Sequence, residues 1–167
     1  MPVIEHGDFR LYEAQAILRY ADRALPGPSL TPAHPQAAAR MDQLMNINDR
    51  YLFQGEANVI AFQRIVGPRL LGLTPDEAAI AAAMPKGHAV FEELSDLLAD
   101  QPYFAGDSIS LADILLAPQL DFLCATPEWA PLVAGRESLQ RWLDRMQQRP
   151  SMRATTWERV AAMAQGS

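Results

Sequence analysis

Between Pro26 and Pro35 the chain packs four prolines, one glycine, one serine and one threonine into ten residues. Proline fixes φ and lacks an amide hydrogen, so neither a helix nor a central strand can run through this stretch. It reads as a stiff linker. It divides the chain into two unequal parts whose apolar residues follow different periods.

The short part comes first. Val3 and Ile4 form one apolar run, and Phe9, Leu11 and Tyr12 form another. His6-Gly7-Asp8 between them is a turn-forming cluster, so the pair reads as a β-hairpin. From Ala14 to Leu25 there is no glycine or proline. Ile17, Leu18, Ala21 and Leu25 recur at helical spacing, which predicts a helix ended by Pro26.

The long part is helical to the end. Gln36 to Val66 carries apolar residues at helical spacing, with Gly55 as a weak point. A second helix is expected from Thr74-Pro75-Asp76-Glu77, with Thr74 as cap and Pro75 in the first helical position. Pro85 and Gly87 predict a kink or break within it. Further helices are expected from Ser110, from Glu137 to Gln148 and from Met152 to Ala164. Together these give a small α/β piece over residues 1–25, the linker 26–35, and an all-α bundle of about five helices over 36–167.

Composition narrows the function. The chain has 167 residues, 49% of them apolar, enough to bury a substantial core. The formal net charge of −6 and the lack of any basic run argue against nucleic acid as partner. The single cysteine, Cys124, excludes an internal disulfide, and His6, His34 and His88 lack metal-ligand spacing. Cys124 lies among Leu120, Phe122 and Leu123 and reads as a small buried hydrophobe; the alternative, a mixed-disulfide nucleophile, needs an electropositive setting, and its nearest charges in sequence are Asp121 and Glu128. No apolar run is long enough for a membrane helix, and the N-terminus does not resemble a signal peptide. A reducing cytoplasm is the expected setting.

The most informative segment is Phe104-Ala-Gly-Asp-Ser-Ile-Ser-Leu-Ala-Asp113. With Ser110 as N-cap, Asp113 falls at the third helical position, where serine and carboxylate can satisfy each other's amides. Ile109 and Ile114 can close a hydrophobic staple over them. This pair is structural. Gly106-Asp107-Ser108 also resembles a serine-hydrolase nucleophile block, but no histidine follows His88 to serve as its base.

At these residues the chain resembles the soluble glutathione S-transferases. The Ser110–Asp113 box is similar to the signature of their C-terminal helical domain. The stretch from Pro2 to Tyr20 is similar to strand 3, strand 4 and helix 3 of their thioredoxin-like domain. The linker and Arg149-Pro150-Ser151-Met152 agree as well. The fold implied is mostly α: a transferase-type C-terminal helical bundle preceded by a truncated thioredoxin-like hairpin plus helix, as in a bacterial member lacking the first part of that domain.

The resemblance also implies a site. Pro2 corresponds to the family's cis-proline, and Met1 before it would offer its backbone to the cysteinyl part of glutathione. Glu13 and Ala14 correspond to the glutamate–serine pair that holds the γ-glutamyl end. Ala14 replaces the serine, removing one hydroxyl contact. By this correspondence the chain is expected to lack the elements that carry the family's thiolate-stabilising serine, tyrosine or cysteine, so no catalytic residue is named. Tyr12, Tyr20 and Tyr51 stand as tempting substitutes; Tyr12 and Tyr20 read equally as core aromatics. Asn46, Asn48, Arg50 and Tyr51 give the first bundle helix a polar patch that reads first as a solvated helix face; the resemblance implies, as the alternative, a part of the electrophile pocket, which family members line partly from this helix.

By resemblance, the expected activity is conjugation of glutathione, as co-substrate and without a cofactor, to a hydrophobic electrophile by a homodimer. A truncated chain is expected to be impaired in this. The alternative is a non-catalytic helical dimerisation or binding module, which an open strand edge at Val3 to Glu5 would serve.

Overall fold

A computed structural model describes residues 2–165. The hairpin forms as expected. Strand β1 (Val3–His6) pairs antiparallel with β2 (Phe9–Tyr12), from Val3 opposite Tyr12 to His6 opposite Phe9. Gly7 in the turn has φ 61, the left-handed conformation that tight hairpins require. Helix α1 (Ala14–Ala24) follows and stops at Leu25, whose backbone is already extended ahead of Pro26.

The proline-rich segment is fastened at both sides. Asp22 on α1 accepts from the Leu30 amide at 2.6 Å and from Thr31 Oγ1 at 2.7 Å. The Leu30 carbonyl in turn accepts from the Leu111 amide at 3.2 Å.

The first bundle helix is not continuous. It comprises α2 (Pro35–Ile47), a π-helical turn (Asn48–Phe53), α3 (Glu56–Ala61), a second π-helical turn (Phe62–Val66) and α4 (Gly67–Leu71). The interruption falls at Gly55, the weak point in the sequence. A Cβ there would lie 2.1 Å from the Tyr51 carbonyl oxygen, so the wide turn needs glycine.

Helix α5 (Glu77–Leu98) corrects two expectations. Asp76, not Thr74, is the cap, accepting from the amides of Ala78 and Ala79 at 3.0 Å. The helix also runs unbroken through Pro85 and Gly87. Its buried stripe of Ile80, Ala83, Gly87, Phe91, Leu94 and Leu98 lies on both sides of Pro85. Packing of that stripe outweighs the roughly 3 kcal/mol penalty of a helical proline. Gly87 is a close-packing position, because a Cβ there would come within 3.2 Å of Leu132.

Helix α6 (Leu111–Cys124) begins at the capping box of Ser110 and Asp113. The short α7 (Trp129–Val133) was not legible in the sequence, and α8 (Glu137–Gln147) stops one residue early. The expected last helix is two helices, α9 (Pro150–Ala154) and α10 (Trp157–Gln165), parted at Thr155 and Thr156. Pro150 starts the first at its favoured N1 position. The core lies among α2, α3, α5, α6 and α8, where Phe91, Phe104 and Trp142 are fully buried. No helix among the described residues is long and apolar enough to cross a membrane.

Candidate functional site

The hairpin register brings three of the four residues implied by the resemblance to one place. Val3 opposite Tyr12 is the outermost rung. Pro2 and Glu13 are the next residues beyond it on the two strands, and Ala14 opens α1 directly afterwards. Met1, and with it the Met1–Pro2 peptide, lies outside the described residues.

Glu13 is the N-cap residue of α1 and has φ 75 and ψ 120. A residue with a Cβ avoids positive φ, at a cost of about 1–3 kcal/mol, and such strain collects at functional sites. The Glu13 side chain is exposed and makes no capping hydrogen bond. The first turn of α1 contains no acidic residue. An uncapped helix start presents amide donors and the positive end of the macrodipole to an anion. A carboxylate stands beside it for a cation.

This helix start is clamped to the bundle. Gln15 Nε2 donates to the Met45 carbonyl at 2.8 Å and to Asp49 Oδ2 at 2.7 Å. One turn on, Arg19 pairs with Asp42 at 2.6 Å. Asp49 belongs to the first π-helical turn, whose wide pitch is closed by Gln54 N donating to Asp49 O at 3.0 Å. Sequence reasoning missed Gln15 and Asp49. They are 34 residues apart, and nothing local marks either one.

The polar patch of the first bundle helix is split. Asn48 is buried. Its Nδ2 donates to Asp49 Oδ1 at 3.1 Å, while its Oδ1 meets no donor among the described residues. Asn46, Arg50 and Tyr51 instead line a groove of about 750 Å³ between the first bundle helix and α5, floored by Ile47, Ala89 and Val90. Lys86 there is held by Glu56 at 2.7 Å. Arg50 and Glu93, on opposite walls, have no ion-pair partner among the described residues.

The remaining candidates separate clearly. Tyr12 is 56% exposed and is not the core aromatic that its apolar run suggested. The Tyr20 hydroxyl lies 2.7 Å from His6 Nδ1, and its ring packs on Phe9 at 5.2 Å. Tyr51 is exposed on the groove. Cys124 is half-buried, and burial, reinforced by Asp121, pushes its thiol above the ordinary value. It is a poor nucleophile.

Known proteins give a consistent picture. Residues 57–150 match the model of the glutathione S-transferase C-terminal domain. Glutathione S-transferase F14 of Arabidopsis thaliana is 32% identical over 155 residues, which is 90% of this chain and 60% of that protein. A glutathione S-transferase of Hyoscyamus muticus is 30% identical over 153 residues, covering 90% of this chain and 71% of its own. Among solved structures, glutathione S-transferase III in its apo form superimposes with a TM-score of 0.81 at 32% identity, over 97% of this chain and 72% of that one. Glutathione S-transferase I bound with lactoylglutathione gives 0.79 at 29% identity, over 92% and 72%. The chain therefore spans only part of the length of these relatives. Matched along its helical domain and across its hairpin, the chain belongs to the glutathione S-transferase family.

Proposed function

We propose that the chain binds glutathione at the open end of the hairpin. The Glu13 carboxylate takes the ammonium of the γ-glutamyl end, and the free amides of α1 take its carboxylate. The backbone at Met1 and Pro2 meets the cysteinyl part. Residues 1–25 then act as a partial thioredoxin-like domain, joined by the linker 26–35 to the helical domain of 36–167. The observation that carries this reading is the conformation of Glu13. A strained backbone and an unused carboxylate sit together at an uncapped helix start. Ala14 supplies no hydroxyl, so binding is weaker than with serine there, by on the order of 1–3 kcal/mol.

Family membership points to conjugation of glutathione to a hydrophobic electrophile. The sulfur forms a bond to the electrophilic carbon, the thiol proton goes to solvent, and the leaving group departs with its electron pair. A thiol of pKa about 8.5 is only a few per cent ionised at pH 7. No residue of this chain is assigned to stabilise the thiolate. Turnover, a homodimer and a cytoplasmic setting form part of the same proposal. The groove between the first bundle helix and α5 suits a two-fold related second copy. Its unpaired Arg50 and Glu93 could then pair with Glu93 and Arg50 of that copy.

One observation favours a second reading. Among the described residues β1 is paired on one side only, leaving an open edge at Val3–Glu5 that can template another strand. On that reading the chain is a non-catalytic helical dimerisation or binding module. Calorimetric titration with reduced glutathione separates the two. Saturable heat at millimolar or tighter affinity, lost in Glu13→Ala, supports the glutathione site. No heat at high ligand concentration overturns it and leaves the module.

A further inference from the structure

We propose that the groove between α6 and α10 is a second binding site, for a small aromatic cation. The groove encloses about 470 Å³, within the range of small-molecule sites. Its walls are apolar, with Pro118 and Phe122 on α6 facing Val160 and Ala161 on α10. The Phe122 and Trp157 rings meet at 5.5 Å with their planes 60° apart, forming an aromatic corner.

Charge selects the ligand. Asp121 lines the groove, and Gln147 Nε2 donates to its Oδ1 at 2.7 Å. Its carboxylate has no basic partner among the described residues, and no lysine, arginine or histidine lines the groove. A second carboxylate, Asp144 on α8, adds negative charge near Cys124, although neither residue lines the groove. Burial is the main reason that the Cys124 thiol sits high, but Asp121 and then Asp144 raise it further, opposed only by Gln147. The groove therefore offers π faces and negative charge together. That combination attracts an organic cation, which stacks on the rings while its charge faces Asp121. It gives a neutral ring only its apolar area, and it repels an anion.

This site is independent of the hairpin. Phe122 lies eleven residues along α6 from Leu111, about 16 Å at 1.5 Å per residue. Leu111 marks the end of α6 that meets the linker. The proposal does not rest on glutathione binding.

The test is a fluorescence titration with phenyltrimethylammonium, its neutral isostere tert-butylbenzene and the anion benzenesulfonate. Of the three tryptophans, Trp129 and Trp142 are buried and Trp157 is exposed, so Trp157 is the reporter. We expect saturable quenching by the cation, weaker quenching by the isostere and none by the sulfonate. Asp121→Asn keeps an acceptor for Gln147 and should weaken the cation by about five- to tenfold, the worth of one charged contact at a half-exposed site. Val160→Arg places a cation in the groove and should abolish binding. Equal affinity for cation and isostere would overturn the proposal, as would an unchanged Asp121→Asn or quenching that survives Trp157→Phe. Glutathione calorimetry on Asp121→Asn runs alongside. An unchanged heat there keeps failure of this site distinct from failure of the glutathione reading.

Discussion

Trp142 Nε1 donates to Asp113 Oδ1 at 2.8 Å, tying α8 to the first turn of α6 across 29 residues of chain. The same oxygen accepts from the Phe104 amide at 3.0 Å. The other oxygen accepts from the Ser110 amide at 2.9 Å and from Ser110 Oγ at 2.8 Å. The Trp142 and Phe104 rings meet edge to face at 5.0 Å above this cluster. Asp113 is therefore more than a helix cap. It is the polar centre of the core, fully buried and satisfied by four donors.

Removing this carboxylate should be severe. A surface cap is worth about 1 kcal/mol. Asp113→Ala instead strands three buried N–H donors and should cost on the order of 3–5 kcal/mol. Trp142→Phe removes one donor and part of an aromatic contact, and should cost about 2 kcal/mol. Urea unfolding of both variants checks the order. Equal losses would show that Asp113 acts only as a local cap.

Glu13 should trade stability against binding. Glu13→Ala removes the carboxylate but keeps the Cβ, and therefore the strained φ. Glu13→Gly removes both. The glycine variant should be more stable than the alanine variant by about 1 kcal/mol. Both should lose the glutathione heat. Thermal unfolding measures the first effect and calorimetry the second.

Glu128 carries a pH-dependent part of the stability. It is buried and accepts from Arg64 Nε at 2.9 Å and from Nη2 at 2.6 Å, while Arg64 also reaches Glu77 at 2.6 Å. The Arg64 hydrogen bonds hold the Glu128 carboxyl below its ordinary value of 4.5, although burial works the other way. A carboxyl lowered in the folded state adds stability above its unfolded value, and that stability is lost as pH falls through the folded one. Glu128→Gln should therefore be less stable than the native chain at pH 7. The gap should start to close near pH 4.5 and vanish at lower pH. Urea midpoints between pH 7 and pH 3 give the curve, and a constant gap would count against this linkage.

Cys124 should resist modification while the chain is folded. Burial, with Asp121 beside it, pushes its thiol above the ordinary value, and the residue is half-buried. Iodoacetamide should label it several-fold more slowly than free cysteine at pH 7 and fully in denaturant. Fast labelling of the folded chain would mean that the thiol is exposed and ionised.

Relations within a few residues were legible in the sequence because their energies are local. The proline-rich stretch ends α1, Gly7 turns the hairpin, and Ser110 with Asp113 starts α6. The family, too, was readable from two ordered motifs. Other features depend on partners far along the chain. Pro85 stays inside α5 because buried side chains on either side of it pack against the bundle. Gly55 tolerates no Cβ because a π-helical turn folds the Tyr51 carbonyl onto it. Gln15 reaches Asp49 across 34 residues, and Asp121 shares a groove with an aromatic corner that Phe122 forms only when Trp157 of α10 packs on it. Spacing along one helix fixes a face and a cap. What that face is pressed against, and hence which polar groups are paired or left free, is decided only when the helices pack.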